Sequence, residues 1–98
     1  MTGKQRAYLR SLATSLQPIF QVGKGEITDE MTTQIGNALE ARELIKVKVL
    51  DNSAYSAREA ADIISEATES EVITVIGTKF VLYKESQKHK KIDIKSMV

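Results

Sequence analysis

The sequence predicts a single small α/β domain in which helices and a mixed four-stranded sheet form two layers. Three observations support this fold class. The chain has only 98 residues, which suits one domain. Segments with apolar residues at helical spacing alternate with short apolar runs, which gives the order helix, strand, helix, strand, helix, strand, strand (αβαβαββ). A Gly-Thr pair joins the last two runs as an antiparallel hairpin, whereas strands connected through helices run parallel.

A cap and a proline mark the first helix and the first strand. Thr2 and Gln5 form a capping box, and apolar residues at helical spacing follow as far as Leu16. Pro18 ends the helix. Residues 19–22 then form a short apolar strand that two glycines stop.

The second and third helices flank the clearest strand of the chain. Thr28 is predicted to cap the second helix, whose acidic first turn complements the helix dipole. Residues 44–50, "LIKVKVL", alternate apolar side chains with lysines, as a strand with one buried face does. Ser56 and Glu59 form a second capping box and begin the third helix. The inward-facing residues of that helix are predicted to be Ala60, Ile63, Ile64 and Ala67.

The chain ends in a hairpin and a polar tail. Residues 72–76 and 80–84 are the two final strands, and Gly77 opens a type II′ turn between them. The domain is predicted to span residues 1–86. Residues 87–98 are rich in lysine and are expected to form a flexible tail.

The formal net charge of +1 hides an uneven distribution of charge. Residues 1–28 carry a net charge of +3, residues 29–71 carry −6, and residues 72–98 carry +4. Such asymmetry indicates a surface that binds a polyanion on an otherwise acidic body. Ordinary solvated surface with a charged tail is the alternative interpretation.

The composition excludes several classes of site. The chain has no cysteine and one histidine, His89, so a zinc site of Cys and His ligands and a Cys–His pair are excluded. Because His89 lies in the polar tail, we expect no Ser-His-Asp triad either. The P-loop pattern is absent because Lys24 is followed by Gly25 and not by Ser or Thr. No apolar run is long enough to span a membrane, and the N-terminus does not resemble a secretory signal. We therefore expect a cytoplasmic protein that is not an enzyme, with no cofactor, metal or membrane partner.

Three segments carry a resemblance to a known family. They are "RELIKVKV" at Arg42–Val49, "VIGTKFVLYKE" at Val75–Glu85, and the glycine-containing loop before "ITDE" at residues 27–30. In this order and at these spacings they resemble the CRM domain (chloroplast RNA splicing and ribosome maturation), in its stand-alone bacterial YhbY-like form. The resemblance covers almost the whole chain.

The resemblance implies both a topology and a function. It implies a fold similar to the C-terminal domain of translation initiation factor three, with strand order 1-2-4-3 and strand 4 antiparallel to the others. It also implies an RNA-binding module that binds rRNA in precursors of the large ribosomal subunit, and we expect the protein to be a monomer. The family carries a GxxG loop after the first strand, like the loop by which KH domains hold a nucleic-acid backbone. Here Glu26 stands in place of the second glycine of that loop.

The predicted RNA-binding surface lies at the edge of the sheet where the parallel strands end, because open α/β sheets bind ligands there. The glycine loop and the hairpin turn should share this edge, and the N-terminal part of the first helix is expected near it. The N-terminus of the second helix should add backbone N–H donors for an anion. The predicted RNA-contacting residues are Lys4, Arg6, Arg10, Gly23, Lys24, Gly25, Thr78 and Lys79.

Other interpretations of these features stay open at this point. The glycines can serve only the turn, and Arg6 and Arg10 can form a solvated helix edge. Lys46 and Lys48 are interpreted as solubilising residues on an outer face. For the whole chain, the alternatives to RNA binding are a protein-interaction module in ribosome assembly that uses the acidic helices, and a nucleotide- or phosphate-binding domain built on "VGKGE".

Overall fold

The computed structural model of the protein describes residues 1–94, and its elements follow the predicted order αβαβαββ. The helices are α1 (Gly3–Ala13), α2 (Asp29–Arg42) and α3 (Ala57–Thr68). The strands are β1 (Pro18–Val22), β2 (Leu44–Val49), β3 (Glu71–Ile76) and β4 (Lys79–Tyr83).

The four strands form one mixed sheet in the order β1-β2-β4-β3. β1 pairs with β2 in parallel, and β4 is antiparallel to both of its neighbours, β2 and β3. The ends of β1, β2 and β3 therefore point in the same direction. The predicted fold class, element order and sheet topology are confirmed.

Local signals in the sequence set where the helices begin. The predicted capping boxes at Thr2 and Ser56 are both present, each with the reciprocal side-chain and backbone hydrogen bonds. The Thr28 hydroxyl accepts the backbone N–H of Met31 and caps α2. These bonds satisfy N–H groups that a helix N-terminus would otherwise leave unpaired.

Helices cover the two faces of the sheet unequally. On β2, Ile45, Val47 and Val49 point toward α2 and α3 and join the larger hydrophobic cluster. Leu44 points to the opposite face, where it joins a smaller cluster with α1, because successive side chains of a strand alternate between faces. The helix α1 thus packs over part of the face opposite α2 and α3.

The buried stripe of α3 differs from the prediction at two positions. Ile63 is 40% exposed and Ala67 is exposed as well, so the prediction that they face inward was wrong. The residues of α3 that the core buries are Ala57, Ala60, Ala61, Ile64 and Thr68. These positions recur at helical spacing along one side of α3, whereas Ile63 and Ala67 lie beside that stripe.

A buried carboxylate holds the segment that follows β4. Glu43 ends α2 with a φ of 67°, and its side chain is completely buried. Its carboxylate accepts the backbone N–H groups of Ser86, Lys91 and Ile92. Flexibility of the tail from residue 87 onward stays a prediction, and residues 95–98 lie outside the described residues. The described part of the tail nevertheless has defined contacts with the domain.

Candidate nucleic-acid interface

The loop after β1 and the β3–β4 hairpin turn meet at one edge of the sheet, which we call the carboxyl edge. The backbone N–H of Leu50 donates to the Val22 oxygen at 2.9 Å, and the N–H of Val49 donates to the Thr78 oxygen at 2.7 Å. Because neighbouring strands are about 4.8 Å apart, β1 lies roughly 10 Å from β4. The sequence-based expectation that these two connections share an edge agrees with this geometry.

The glycine loop is open to solvent at the carboxyl edge. Gly25 has a φ of 101°, which L-residues with a side chain rarely adopt, and a Cβ there would meet open space. Gly23 lies closer to the body, with Leu50 Cδ1 3.6 Å from the position of its missing Cβ. Lys24 and Glu26 are both exposed. Gly25 therefore serves the backbone conformation of the loop, and Lys24 is free to extend from it.

The N-terminus of α2 also lies at the carboxyl edge, but its surroundings are acidic. Asp29 and Glu30 occupy its first turn, where they already complement the positive end of the helix dipole. Glu26 precedes them by a few residues. These carboxylates disfavour a phosphate at this position, so the donors that the sequence-based interpretation assigned to α2 are poorly suited to bind an anion.

A row of side chains with two lysines crosses the sheet next to the carboxyl edge. Lys48 of β2 pairs directly with Lys79 of β4, and Gln21 and Ile76 extend the row on either side. Paired residues of neighbouring strands share a face. This face is the one that α1 covers only in part. Two positive charges therefore lie side by side on an open part of the sheet.

Two adjoining hollows continue from this row toward α1, one of about 400 Å³ and one of about 130 Å³, and we call the two together the groove. Lys46, Thr74 and Val81 line both hollows, whereas Arg10 of α1 lines only the smaller one. The ten described residues that line the groove include no Asp or Glu. They are Arg10, Ala13, Thr14, Lys46, Thr74, Ile76, Gly77, Thr78, Lys79 and Val81.

The structure places Arg6 away from the carboxyl edge, and Lys4 precedes it in the N-terminal part of α1, contrary to the expectation for this part of the first helix. The Arg6 guanidinium donates to the Val72 oxygen at 2.6 Å and pairs with the Glu71 carboxylate at 3.2 Å. Glu71 begins β3, so at about 3.3 Å per residue Arg6 lies roughly 15 Å along the strand from the hairpin. The helix α1 crosses the amino-end half of the sheet, and only its later turns approach the groove.

Five of the eight predicted residues thus lie at the carboxyl edge, and Arg10 lies in the adjoining groove. The sequence predicts that Lys46 and Lys48 are solubilising residues on an outer face. In the structure both are half-buried, Lys48 is paired with Lys79, and Lys46 lines the groove. The alternation in "LIKVKVL" already placed them on one face. Their position next to Lys79 depends on the pairing of β2 with β4, which periodicity alone does not give.

The opposite side of the domain has the opposite charge. Exposed carboxylates line α3, where the Arg58 side chain pairs with Asp62 at 3.2 Å. The other acidic residues of this helix and of its C-cap are Glu59, Glu66 and Glu69. The net charge of the chain is near zero because a basic surface on the α1 side of the sheet offsets an acidic surface on the α3 side.

Residues 1–94 contain no group of three or more His, Asp or Glu side chains that could hold a metal ion. None of the helices in this range is long and apolar enough to cross a membrane.

Several known proteins are similar to this chain. Residues 1–84 match the family described as "CRS1 / YhbY (CRM) domain". The chain is 49% identical over 94 residues to the "Probable RNA-binding protein YqeI" of Bacillus subtilis, covering 96% of this chain and 98% of the relative. It is 32% identical over 90 residues to the "RNA-binding protein" of Haemophilus influenzae, covering 92% of this chain and 91% of the relative.

A solved structure has the same fold. The solution structure of the hypothetical protein SAV1595 from Staphylococcus aureus is 53% identical to this chain. It matches with a TM-score of 0.77 and covers 95% of this chain and 97% of that one.

Proposed function

The chain belongs to the CRS1/YhbY (CRM) domain family, and from this premise we propose that it is a non-enzymatic, monomeric RNA-binding protein. The relatives from B. subtilis and H. influenzae bear names that describe RNA-binding proteins. The proposed interface consists of the glycine loop, the hairpin turn and the basic face between α1 and the carboxyl edge.

The observation that carries the proposal is the arrangement of cations on this face. Lys48 and Lys79 are cross-strand neighbours, Lys46 and Arg10 flank the adjoining groove, and Lys24 extends from the loop at the same edge. A phosphate backbone attracts such a cluster without regard to base sequence. The acidic α3 side of the domain would repel it, so the charge distribution orients the protein on RNA.

The proposed RNA is rRNA in precursors of the large ribosomal subunit, as the resemblance to the CRM family implies. A surface dominated by phosphate contacts reads little sequence by itself. Selectivity for one rRNA region would therefore depend on the shape of the RNA or on unpaired nucleotides.

Ultraviolet crosslinking of the protein in cells, followed by sequencing of the attached RNA, tests this proposal. Large-subunit rRNA and its precursors should be enriched above their share of total cellular RNA. The variant Lys79→Glu should lose most of the crosslinked RNA, whereas Arg58→Glu, which makes the same charge change on α3, should keep it. Crosslinks distributed in proportion to RNA abundance would exclude the rRNA assignment, and equal loss from both variants would exclude the proposed face.

A further inference from the structure

The groove between α1 and the β3–β4 hairpin differs chemically from a surface that binds only phosphates. The larger of its two hollows has a volume of about 400 Å³, which is within the range of about 300–1,000 Å³ that is usual for small-molecule sites. It combines an apolar part, formed by Val81 and Ile76, with the cations Arg10, Lys46 and Lys79. Binding of phosphates alone does not require the apolar part.

Ile76 is the residue that most needs an explanation. It is 70% exposed although it is a large apolar residue, and it occupies the last position of β3 opposite Lys79. Its side chain lies on the face that α1 leaves open, because it lines both parts of the groove. An exposed isoleucine surrounded by cations and hydroxyl groups is suited to the face of a planar, uncharged ring attached to a charged group.

Hydroxyl groups complete the chemistry of the groove. Thr74 lies in the sheet, Thr78 in the hairpin turn and Thr14 at the end of α1, and all three line the groove. Hydroxyls can donate to or accept from a ribose 2′-OH or the edge of a base, although the Thr14 hydroxyl already donates to the Ser11 oxygen at 2.8 Å and can only accept from a ligand. The groove therefore offers separate partners for a phosphate, a sugar and a base.

We infer that the groove holds an unpaired nucleotide of the bound RNA, with its base against Ile76 and Val81 and its phosphate among Arg10, Lys46 and Lys79. This inference rests on the proposed function and adds a preference for single-stranded RNA. Bases in an A-form duplex are stacked and inaccessible, whereas those of loops and bulges can turn outward into a site. A duplex would reach the lysines but leave the apolar part of the groove empty.

Fluorescence anisotropy with two labelled RNAs tests the inference. One is a single strand of 12 nucleotides, and the other is the blunt duplex of that strand with its complement. The substitution Ile76→Ser should weaken binding of the single strand roughly tenfold and leave binding of the duplex unchanged. The matched control is Ile63→Ser, which removes another exposed isoleucine from α3 on the far side of the sheet and should change neither affinity.

Three results would overturn the inference. The first is an unchanged single-strand affinity for Ile76→Ser, and the second is an equal loss for both RNAs. The third concerns photocrosslinking of a 4-thiouridine-labelled strand to the wild-type protein. We expect crosslinks in residues 73–78, and their absence would overturn the inference. If the wild-type protein bound RNA but showed any of these results, the groove assignment would fail while the proposed function stood. Failure of the wild-type protein to bind either RNA would refute both.

Discussion

Lys48 and Lys79 lie directly opposite each other on the antiparallel strands β2 and β4. Like charges in directly opposed positions destabilise a sheet, so this pair has a cost in the free protein. A bound phosphate between the two lysines would remove that cost. The pair is therefore better explained as part of a binding surface than as a contribution to stability.

Removal of one of these charges should have opposite effects on stability and on binding. We expect Lys48→Gln, which keeps most of the aliphatic stem, to raise the free energy of unfolding by about 0.3 kcal/mol at low salt. The gain should disappear in about 1 M salt because the repulsion is screened. RNA affinity should fall at the same time.

Urea denaturation and fluorescence anisotropy measure the two effects. The control Lys88→Gln removes a positive charge from the exposed segment after β4 and should change neither quantity. A Lys48→Gln protein that is both less stable and unimpaired in RNA binding would contradict this interpretation of the pair.

Glu43 should contribute to stability through the three N–H groups that its carboxylate accepts. The amide of Glu43→Gln can accept through one oxygen only, and its NH₂ group would face a backbone donor. We expect a loss of about 2 kcal/mol in the free energy of unfolding, with faster hydrogen exchange at Lys91 and Ile92. The control Glu66→Gln changes an exposed carboxylate and should have little effect. If hydrogen exchange at the Lys91 and Ile92 amides were the same in Glu43→Gln as in the wild type, the carboxylate would not hold this segment.

The same contact predicts how stability depends on pH. Burial raises the pKa of Glu43, but the hydrogen bonds from Ser86, Lys91 and Ile92 outweigh it and hold the pKa below the usual 4.5. A carboxyl whose pKa is lower in the folded state stabilises the protein above its unfolded pKa. That contribution is lost as the pH falls through the folded pKa. Urea titrations below pH 5 should therefore show a steeper loss of stability for the wild type than for Glu43→Gln.

Tyr83 should have the opposite pH dependence. Burial, followed by the nearby charge of Glu43, raises its pKa from 10 to about 12. Stability is then complete below pH 10 and declines as the pH rises toward 12, because the unfolded state loses the phenolic proton first. The Tyr83 hydroxyl is buried and has no hydrogen-bond partner among the described residues.

The substitution Tyr83→Phe tests this assignment. It should be neutral or stabilising by up to about 1 kcal/mol at neutral pH, because it removes an unsatisfied polar group. It should also abolish the component of the phenolate absorbance that titrates near pH 12. A clear loss of stability at neutral pH would show that the hydroxyl has a partner.

The glycine loop gives a prediction of its own. If Lys24 and the loop backbone contact RNA while Glu26 is turned away, Glu26→Gly should leave RNA affinity unchanged or raise it, because it removes a carboxylate from an anion-binding loop. Gly25→Ala should weaken binding, since a φ of 101° is strained for alanine. A clear loss of affinity in Glu26→Gly, measured by anisotropy, would contradict this arrangement of the loop.

The sequence predicts the features that depend on neighbouring residues. The capping boxes at Thr2 and Ser56, the hairpin at Gly77 and the alternation in β2 are local patterns, and the structure confirms all of them. The strand order was implied by the family resemblance, because hydrophobic periodicity does not specify which strands are neighbours.

Features that depend on distant residues could not be predicted in this way. The direction in which α1 crosses the sheet decides that Arg6 pairs with Glu71, 65 residues away, and helical periodicity does not fix that direction. Glu43 receives the N–H of Ile92, 49 residues away, with no local pattern that marks it as buried. The position of Lys46 and Lys48 next to Val81 and Lys79 likewise depends on the β2–β4 pairing.

The salt dependence of RNA affinity tests the central claim, that the carboxyl edge binds RNA phosphates. The double variant Lys24→Ala/Lys79→Ala removes one cation from the loop and one from the hairpin. The control Arg58→Ala/Lys88→Ala also removes two positive charges, one from α3 and one from the segment after β4. Relative to the control, the double variant should bind a single-stranded RNA more weakly, with a log–log salt slope smaller by roughly 1.5. An affinity and slope equal to those of the wild type would contradict the claim.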